Sequence, residues 1–140
     1  MNTIIPSEIP ALQQFILLVD DDEDDRFIMN DFFEINGYKS LIMASGKAAL
    51  QFLHGLSARQ YPAAIIIDYN MPIYTGEDIL KQIKLDKELS HIPLIIYSSE
   101  MTENLSRHLL SLGALHCFTK VYTRQQLDYM QDILDELLSA

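Results

Sequence analysis

The sequence predicts a doubly wound α/β domain, with five parallel strands in one sheet and helices on both faces. Three observations predict it. Residues 15–19, 63–67 and 93–97 are strongly apolar runs rich in branched side chains, as expected of strands buried on both faces. Each run stops at a polar residue, Asp20, Asp68 or Ser98, where a buried strand emerges into a loop. Between the runs the apolar residues switch to helical spacing, and every crossover is long enough for a right-handed connection between parallel strands.

In chain order, residues 1–14 contain Pro6 and Pro10 and read as an irregular lead-in, with a short helical turn near 11–14, ahead of one domain over 15–140. The first strand covers 15–19. The helix that starts at Glu23 or Asp24 is patterned by Phe27, Ile28, Phe32 and Ile35, and Asn36 with Gly37 stops it. Residues 38–43 make a second, short strand, after which Ser45 caps a helix turning Ala48, Ala49, Phe52, Leu53 and Leu56 inward. The third strand leads to Thr75, which with Asp78 forms a capping box for a helix whose Ile79, Leu80 and Ile83 face the core. After the fourth strand, Thr102 opens a helix carrying Leu105, Leu109 and Leu112, stopped by Gly113. Residues 116–119 form the fifth strand. Thr123 and Gln126 then make a capping box for a last helix with Leu127, Met130, Leu134, Leu137 and Leu138 at helical spacing.

A chain of 140 residues that is 49% hydrophobic is enough for one full core and too short for two ordinary domains. Twenty acidic residues against ten basic ones give a net charge of -10, which disfavours nucleic acid and anionic membranes and favours a cation or a basic partner. One cysteine, Cys117, excludes an intrachain disulfide and suits a reducing compartment. The start lacks a signal-peptide pattern, and no apolar run reaches the roughly 20 residues of a membrane span. The expectation is a soluble, cytoplasmic protein with no membrane insertion.

The chemistry concentrates at strand ends. Asp20, Asp21 and Asp68 follow two of the three most buried strands, and grouped carboxylates in partial shelter are costly unless a cation neutralises them. An oxygen-only set of these carboxylates, carbonyls near Asn70 and water fits Mg2+ or Mn2+, whereas zinc would call for histidine or thiolate. Glu23, Asp24 and Asp25 read as a solvated helix start. An EF-hand reading of the acidic run fails, because Asp25 stands where that loop needs glycine and Asp31 where it needs glutamate. Ser98 and Ser99 end the fourth strand without a histidine in an acyl-transfer pattern. Lys120 ends the fifth, where its ammonium can balance the carboxylates and meet an anionic oxygen on Asp68. An acceptor carboxylate, a divalent ion, a hydroxyl and an ammonium are the parts of a phosphoryl-transfer site, and the absence of a glycine-rich cradle argues against a nucleotide. His116 and Cys117 alternate across a strand and make poor joint ligands, leaving Cys117 as a packing residue.

From about Phe15 to Leu138 the chain resembles the receiver domain of bacterial two-component response regulators, and specifically the stand-alone, chemotaxis-regulator-like kind. Val19 with Asp20, Asp21 and Asp22 resembles the acidic segment; Ile67, Asp68, Tyr69, Asn70, Met71 and Pro72 with Gly76 resemble the phosphoacceptor segment; Ser98 and Lys120 occupy the switch hydroxyl and lysine positions. The resemblance implies a flavodoxin-like receiver fold. It also implies that Asp68 accepts a phosphoryl group from a phosphohistidine on a sensor histidine kinase or histidine phosphotransfer protein. Asp21, Asp68 and the Asn70 backbone carbonyl would hold Mg2+, with Mn2+ as an alternative, and Asp20 would act through metal-bound water. Catalysis would extend to the protein's own phosphoryl transfer and autodephosphorylation, with no external substrate. Output would pass to a downstream protein, by relay, or through a homodimer built on the fourth helix, fifth strand and fifth helix.

Two departures accompany the resemblance. Val121 follows Lys120 where the family has a proline joined by a cis bond, so a trans bond is expected. Cys117 occupies the place of the switch aromatic and has no ring to swing toward Ser98. The expected switch region is therefore Tyr97, Ser99, Cys117 and Tyr122, with Tyr97 and Tyr122 as substitute aromatics. The competing readings are an atypical receiver that binds partners without phosphate and a small metal-dependent phosphohydrolase.

Overall fold

The computed structural model describes residues 14–139, so the lead-in and the turn expected near 11–14 lie outside the described residues, apart from Gln14. Five parallel strands form one sheet in the order β2-β1-β3-β4-β5. They are β1 (Ile16–Val19), β2 (Ser40–Met43), β3 (Ala64–Asp68), β4 (Leu94–Ser98) and β5 (His116–Thr119). Between and after them run α1 (Glu23–Ile35), α2 (Gly46–His54), α3 (Gly76–Leu85), α4 (Glu103–Ser111) and α5 (Arg124–Ser139). β1, β3 and β4 are buried at every position, because both faces of the sheet are covered.

Strand alternation sorts the apolar side chains into two cores. Leu17, Val19, Ile65, Ile67, Leu94 and Ile96 point to the face covered by α2, α3 and α4. Ile16, Leu18, Ile66, Ile95, Tyr97 and Phe118 point to the face covered by α1 and α5. The helix caps are mostly as the sequence predicts. Ser45 Oγ accepts from Ala48 N, and Thr75 and Asp78 form a complete reciprocal box. Gly37 takes φ 72 just beyond α1, a left-handed conformation that costs glycine little.

Three expectations about packing are corrected. In α1, Phe27 and Ile35 are 75% and 76% exposed and Ile28 is 36% exposed; the helix instead buries Met29, Phe32 and Phe33. The expected and observed stripes both have helical spacing, and only docking on the sheet distinguishes them. In α2, Ala48 is exposed and Leu50 is buried. At α5, Thr123 Oγ1 accepts from Gln126 N, but the Gln126 side chain donates to Thr119 O rather than closing the box, which ties the helix to the end of β5. Among the described residues no helix is long and apolar enough to cross a membrane.

Gly76, the first residue of α3, passes close behind the end of β3. A Cβ built there would lie 2.8 Å from both Asp68 O and Tyr69 Cα, backbone atoms that cannot swing aside, and Gly76 N donates to Tyr69 O at 3.0 Å. Gly76→Ala should therefore cost about 1–3 kcal/mol of stability in urea unfolding and displace the Asp68 loop. An unchanged midpoint would show that this contact is not tight.

Candidate functional site

The doubly wound order places β1 and β3 side by side, with Val19 paired to Ile67, so the loops leaving them separate at the carboxyl edge and open a cleft. Asp21, Asp22, Asp25, Asp68, Asn70, Ser99 and Lys120 line it. Asp20, directly after β1, is fully buried: Oδ1 accepts from Asp22 N at 2.9 Å, and Oδ2 accepts the Tyr97 hydroxyl. Asp68 ends β3 and is 2% exposed, with Oδ1 accepting from Asn70 N at 3.0 Å. Asp21 is exposed on the rim. One oxygen from each of Asp20, Asp21 and Asp68 falls within 4.8 Å of the others. Such an all-oxygen, anionic set fits a hard divalent cation.

Lys120 supplies the charge that lets these carboxylates coexist. Its Nζ lies 3.2 Å from Asp20 Oδ2, 3.2 Å from Asp68 Oδ2 and 2.8 Å from Asp25 Oδ2, and 4.7 Å from the centre of the Tyr97 ring. Its backbone N–H donates to Ser98 O at 2.9 Å, fixing the end of β5 against β4. Burial alone would lower the lysine pKa, but the hydrogen bond to Asp25 and the charges of Asp20 and Asp68 outweigh it and hold the ammonium protonated. Asp68 is displaced the other way. Burial and the neighbouring Asp20 charge raise it, Lys120 and the Asn70 N–H pull it down, and the balance leaves it pushed up to about 7.

The structure brings together Asp20, Asp21, Asp68, Asn70, Ser99 and Lys120, and sets Ser98 beside them. Ser98 is fully buried, and its Oγ accepts from Asn70 Nδ2 at 3.0 Å and from Glu100 N at 3.2 Å. The Lys120–Val121 bond is trans, as the absence of proline predicts. Cys117 is half-buried against the α2, α3 and α4 core, its thiol pushed up by burial, consistent with a packing role. Neither substitute aromatic lies on that face. Tyr97 alternates with Ser98 along β4 and points to the α1 and α5 side, and the Tyr122 hydroxyl is bound to Asp25 on α1 at 2.8 Å.

Asp25 is the residue that sequence reasoning missed. Expected as part of a solvated helix start, it instead accepts from both Lys120 and Tyr122. Burial would raise its pKa, yet these two donors outweigh burial and hold its carboxyl below the usual range. The signal was spacing: Asp25 stands four residues before Met29, seven before Phe32 and eight before Phe33, on the face that docks. A stripe of Phe27, Ile28, Phe32 and Ile35 leaves Asp25 off the centre of the inner face.

A family model described as "Response regulator receiver domain" matches residues 16–131. The chain belongs to this family. Curated relatives of the receiver include Two-component response regulator ORR3 of rice (Oryza sativa subsp. indica), 36% identical over 106 residues that cover 76% of this chain and 79% of the relative. Two-component response regulator ORR5 of Oryza sativa subsp. japonica is 33% identical over 99 residues, covering 71% of this chain and 72% of its own. These matches establish a receiver domain of two-component signal transduction and reach no further toward a bacterial or chemotaxis subgroup. Among solved structures, a response regulator receiver protein from Pseudomonas putida superposes with TM-score 0.76 at 18% identity, covering 91% of this chain and 99% of that one. The Mn(2+)-bound form of response regulator Rcp1 gives 0.74 at 24% identity, covering 92% and 95%. Both share the fold of this receiver.

The raised Asp68 pKa sets a pH dependence in divalent-free solution. In the unfolded chain the carboxyl ionises near pH 4, about 3 units lower, so between about pH 4 and about pH 7 the folded state holds the proton more tightly and stability falls as pH rises. Asp68→Asn removes that cost and should stabilise the receiver by about 1–2 kcal/mol near pH 8, the gain fading toward about pH 4. Urea unfolding with chelator across this range tests it; destabilisation near pH 8 would mean that the Lys120 ion pair outweighs the burial of charge.

Proposed function

We propose that this receiver accepts a phosphoryl group on Asp68 from a phosphohistidine of a sensor histidine kinase or histidine phosphotransfer protein. The observation that carries the reading is the Asp68 carboxylate: buried at its base, open to the cleft, and faced by the Lys120 ammonium at 3.2 Å. An oxygen of Asp68 attacks phosphorus as the nitrogen–phosphorus bond breaks, and the imidazole keeps the electron pair. Asp68 reacts as the anion, whose ionisation Lys120 and the Asn70 N–H favour against burial. Lys120 then meets the phosphoryl oxygens, and the Ser98 hydroxyl, held by Asn70 and Glu100 while its own proton remains available, donates to one of them.

Asp21, Asp68 and the Asn70 carbonyl are the groups proposed to hold Mg2+, or Mn2+ as in the Rcp1 structure, with Asp20 behind them. A bound ion supplies positive charge against the oxygens that become more anionic during transfer. The catalytic reach proposed is the protein's own phosphorylation and dephosphorylation. The face made by α4, β5 and α5 carries exposed Leu110, Leu115 and Tyr129 and is proposed as the downstream partner or homodimer surface.

Incubation with a small-molecule phosphodonor and Mg2+ should add one phosphoryl group, located by intact mass and peptide mapping. Labelling of Asp68→Asn at the wild-type rate and extent would sink the assignment, and a wild-type protein that takes no label would favour phosphate-independent partner binding. Asp21→Ala should weaken Mg2+ binding by about tenfold or more in a fluorescence or NMR titration. Unchanged affinity would remove Asp21 from the ligand set.

A further inference from the structure

The nearest carboxylate to Lys120 is Asp25 at 2.8 Å, closer than Asp68 at 3.2 Å. The ammonium donates to Asp25, while Asp20 and Asp68 each stand at 3.2 Å in ion-pair contact, so three carboxylates share one cation. The other oxygen of Asp25 takes the Tyr122 hydroxyl at 2.8 Å, so one carboxylate on α1 binds two groups from the segment after β5. Tyr122 also lines the cleft between α1 and α5, together with Ile28, Phe32, Ile35 and Leu127.

A phosphoryl group on Asp68 adds negative charge and acceptor oxygens, so Lys120 must yield a donor to it. Which partner gives way follows from burial. Asp20 is fully buried, fixed by Tyr97 and the Asp22 N–H, and water cannot replace the lysine there without desolvation cost. Asp25 lies on the wall of the open cleft, where water can take the vacated position.

We propose that Asp25 is a positioning residue that holds Lys120 back from Asp68 in the resting receiver, and that its release on loading of Asp68 is transmitted through Tyr122 to the cleft between α1 and α5. This rests on the phosphoacceptor reading above. It places the first movement on the face of the sheet opposite Cys117, where two tyrosines already engage the acidic groups.

The test is amide-resolved NMR of wild type, Asp25→Asn and Tyr122→Phe, each titrated with beryllofluoride at saturating Mg2+. In wild type, amides of Tyr122, Leu127 and Ile28 should shift together with those of the Asp68 loop. Asp25→Asn frees Lys120 and should bind beryllofluoride about fivefold more tightly; a merely structural Asp25 would give weaker binding. Tyr122→Phe should bind within about twofold of wild type, as expected of a residue outside the anion's contacts, while losing the cleft shifts. Unchanged or weaker binding by Asp25→Asn, or cleft shifts that persist in Tyr122→Phe, overturns the inference and leaves the acceptor role of Asp68 standing. A wild type that binds no beryllofluoride overturns that role and the inference with it.

Discussion

The arrangement at the carboxyl edge depends on one cation compensating carboxylates that the fold forces together. Asp20 and Asp68 are buried at the ends of adjacent strands, where neither charge can be fully hydrated and each raises the cost of the other. Lys120 reaches both because β5 is held beside β4, and its backbone is pinned to Ser98 O. Remove the sheet order, and the ammonium has no reason to approach either group. The same compensation makes the site responsive, since any new charge on Asp68 competes for a donor already shared three ways.

The two faces of the sheet contribute differently to that competition. On the α2, α3 and α4 side lie Ser98 and Cys117, with Asn70 bridging to the serine hydroxyl. The α1 and α5 side carries a denser polar set, with Tyr97 donating to Asp20 and Tyr122 to Asp25. Burial and nearby negative charge raise the pKa of both phenols, so they remain protonated donors. A receiver without an aromatic at position 117 thus retains aromatic hydroxyls in contact with its acidic centre, on the opposite face.

Backbone geometry maintains the register of these groups. Tyr69 N donates to Tyr97 O beyond the end of β3, and Gly76 lets α3 begin against the same peptide. Ile73, at φ 70 and 93% exposed, holds a left-handed conformation that a β-branched residue adopts only under constraint from its surroundings. The loop that presents Asp68 is therefore fixed at both ends and strained between them.

By itself the sequence determined the five strands, the five helices and the acidic residues that end β1 and β3. Unbroken apolar runs and abrupt polar stops are local signals that any docking of the chain must respect. It also marked Lys120, Ser98 and the trans bond before Val121, because each follows from residue type at a strand end. What it left open was rotation and pairing. Phe27, Ile28, Phe32 and Ile35 make as regular a stripe as Met29, Phe32 and Phe33, and the choice between them was made by the shape of the sheet beneath α1. That rotation carried Asp25 to Lys120, 95 residues away in the chain, and to the Tyr122 hydroxyl. Contacts between residues so far apart in the chain depend on how the layers pack, which periodicity within one segment does not encode.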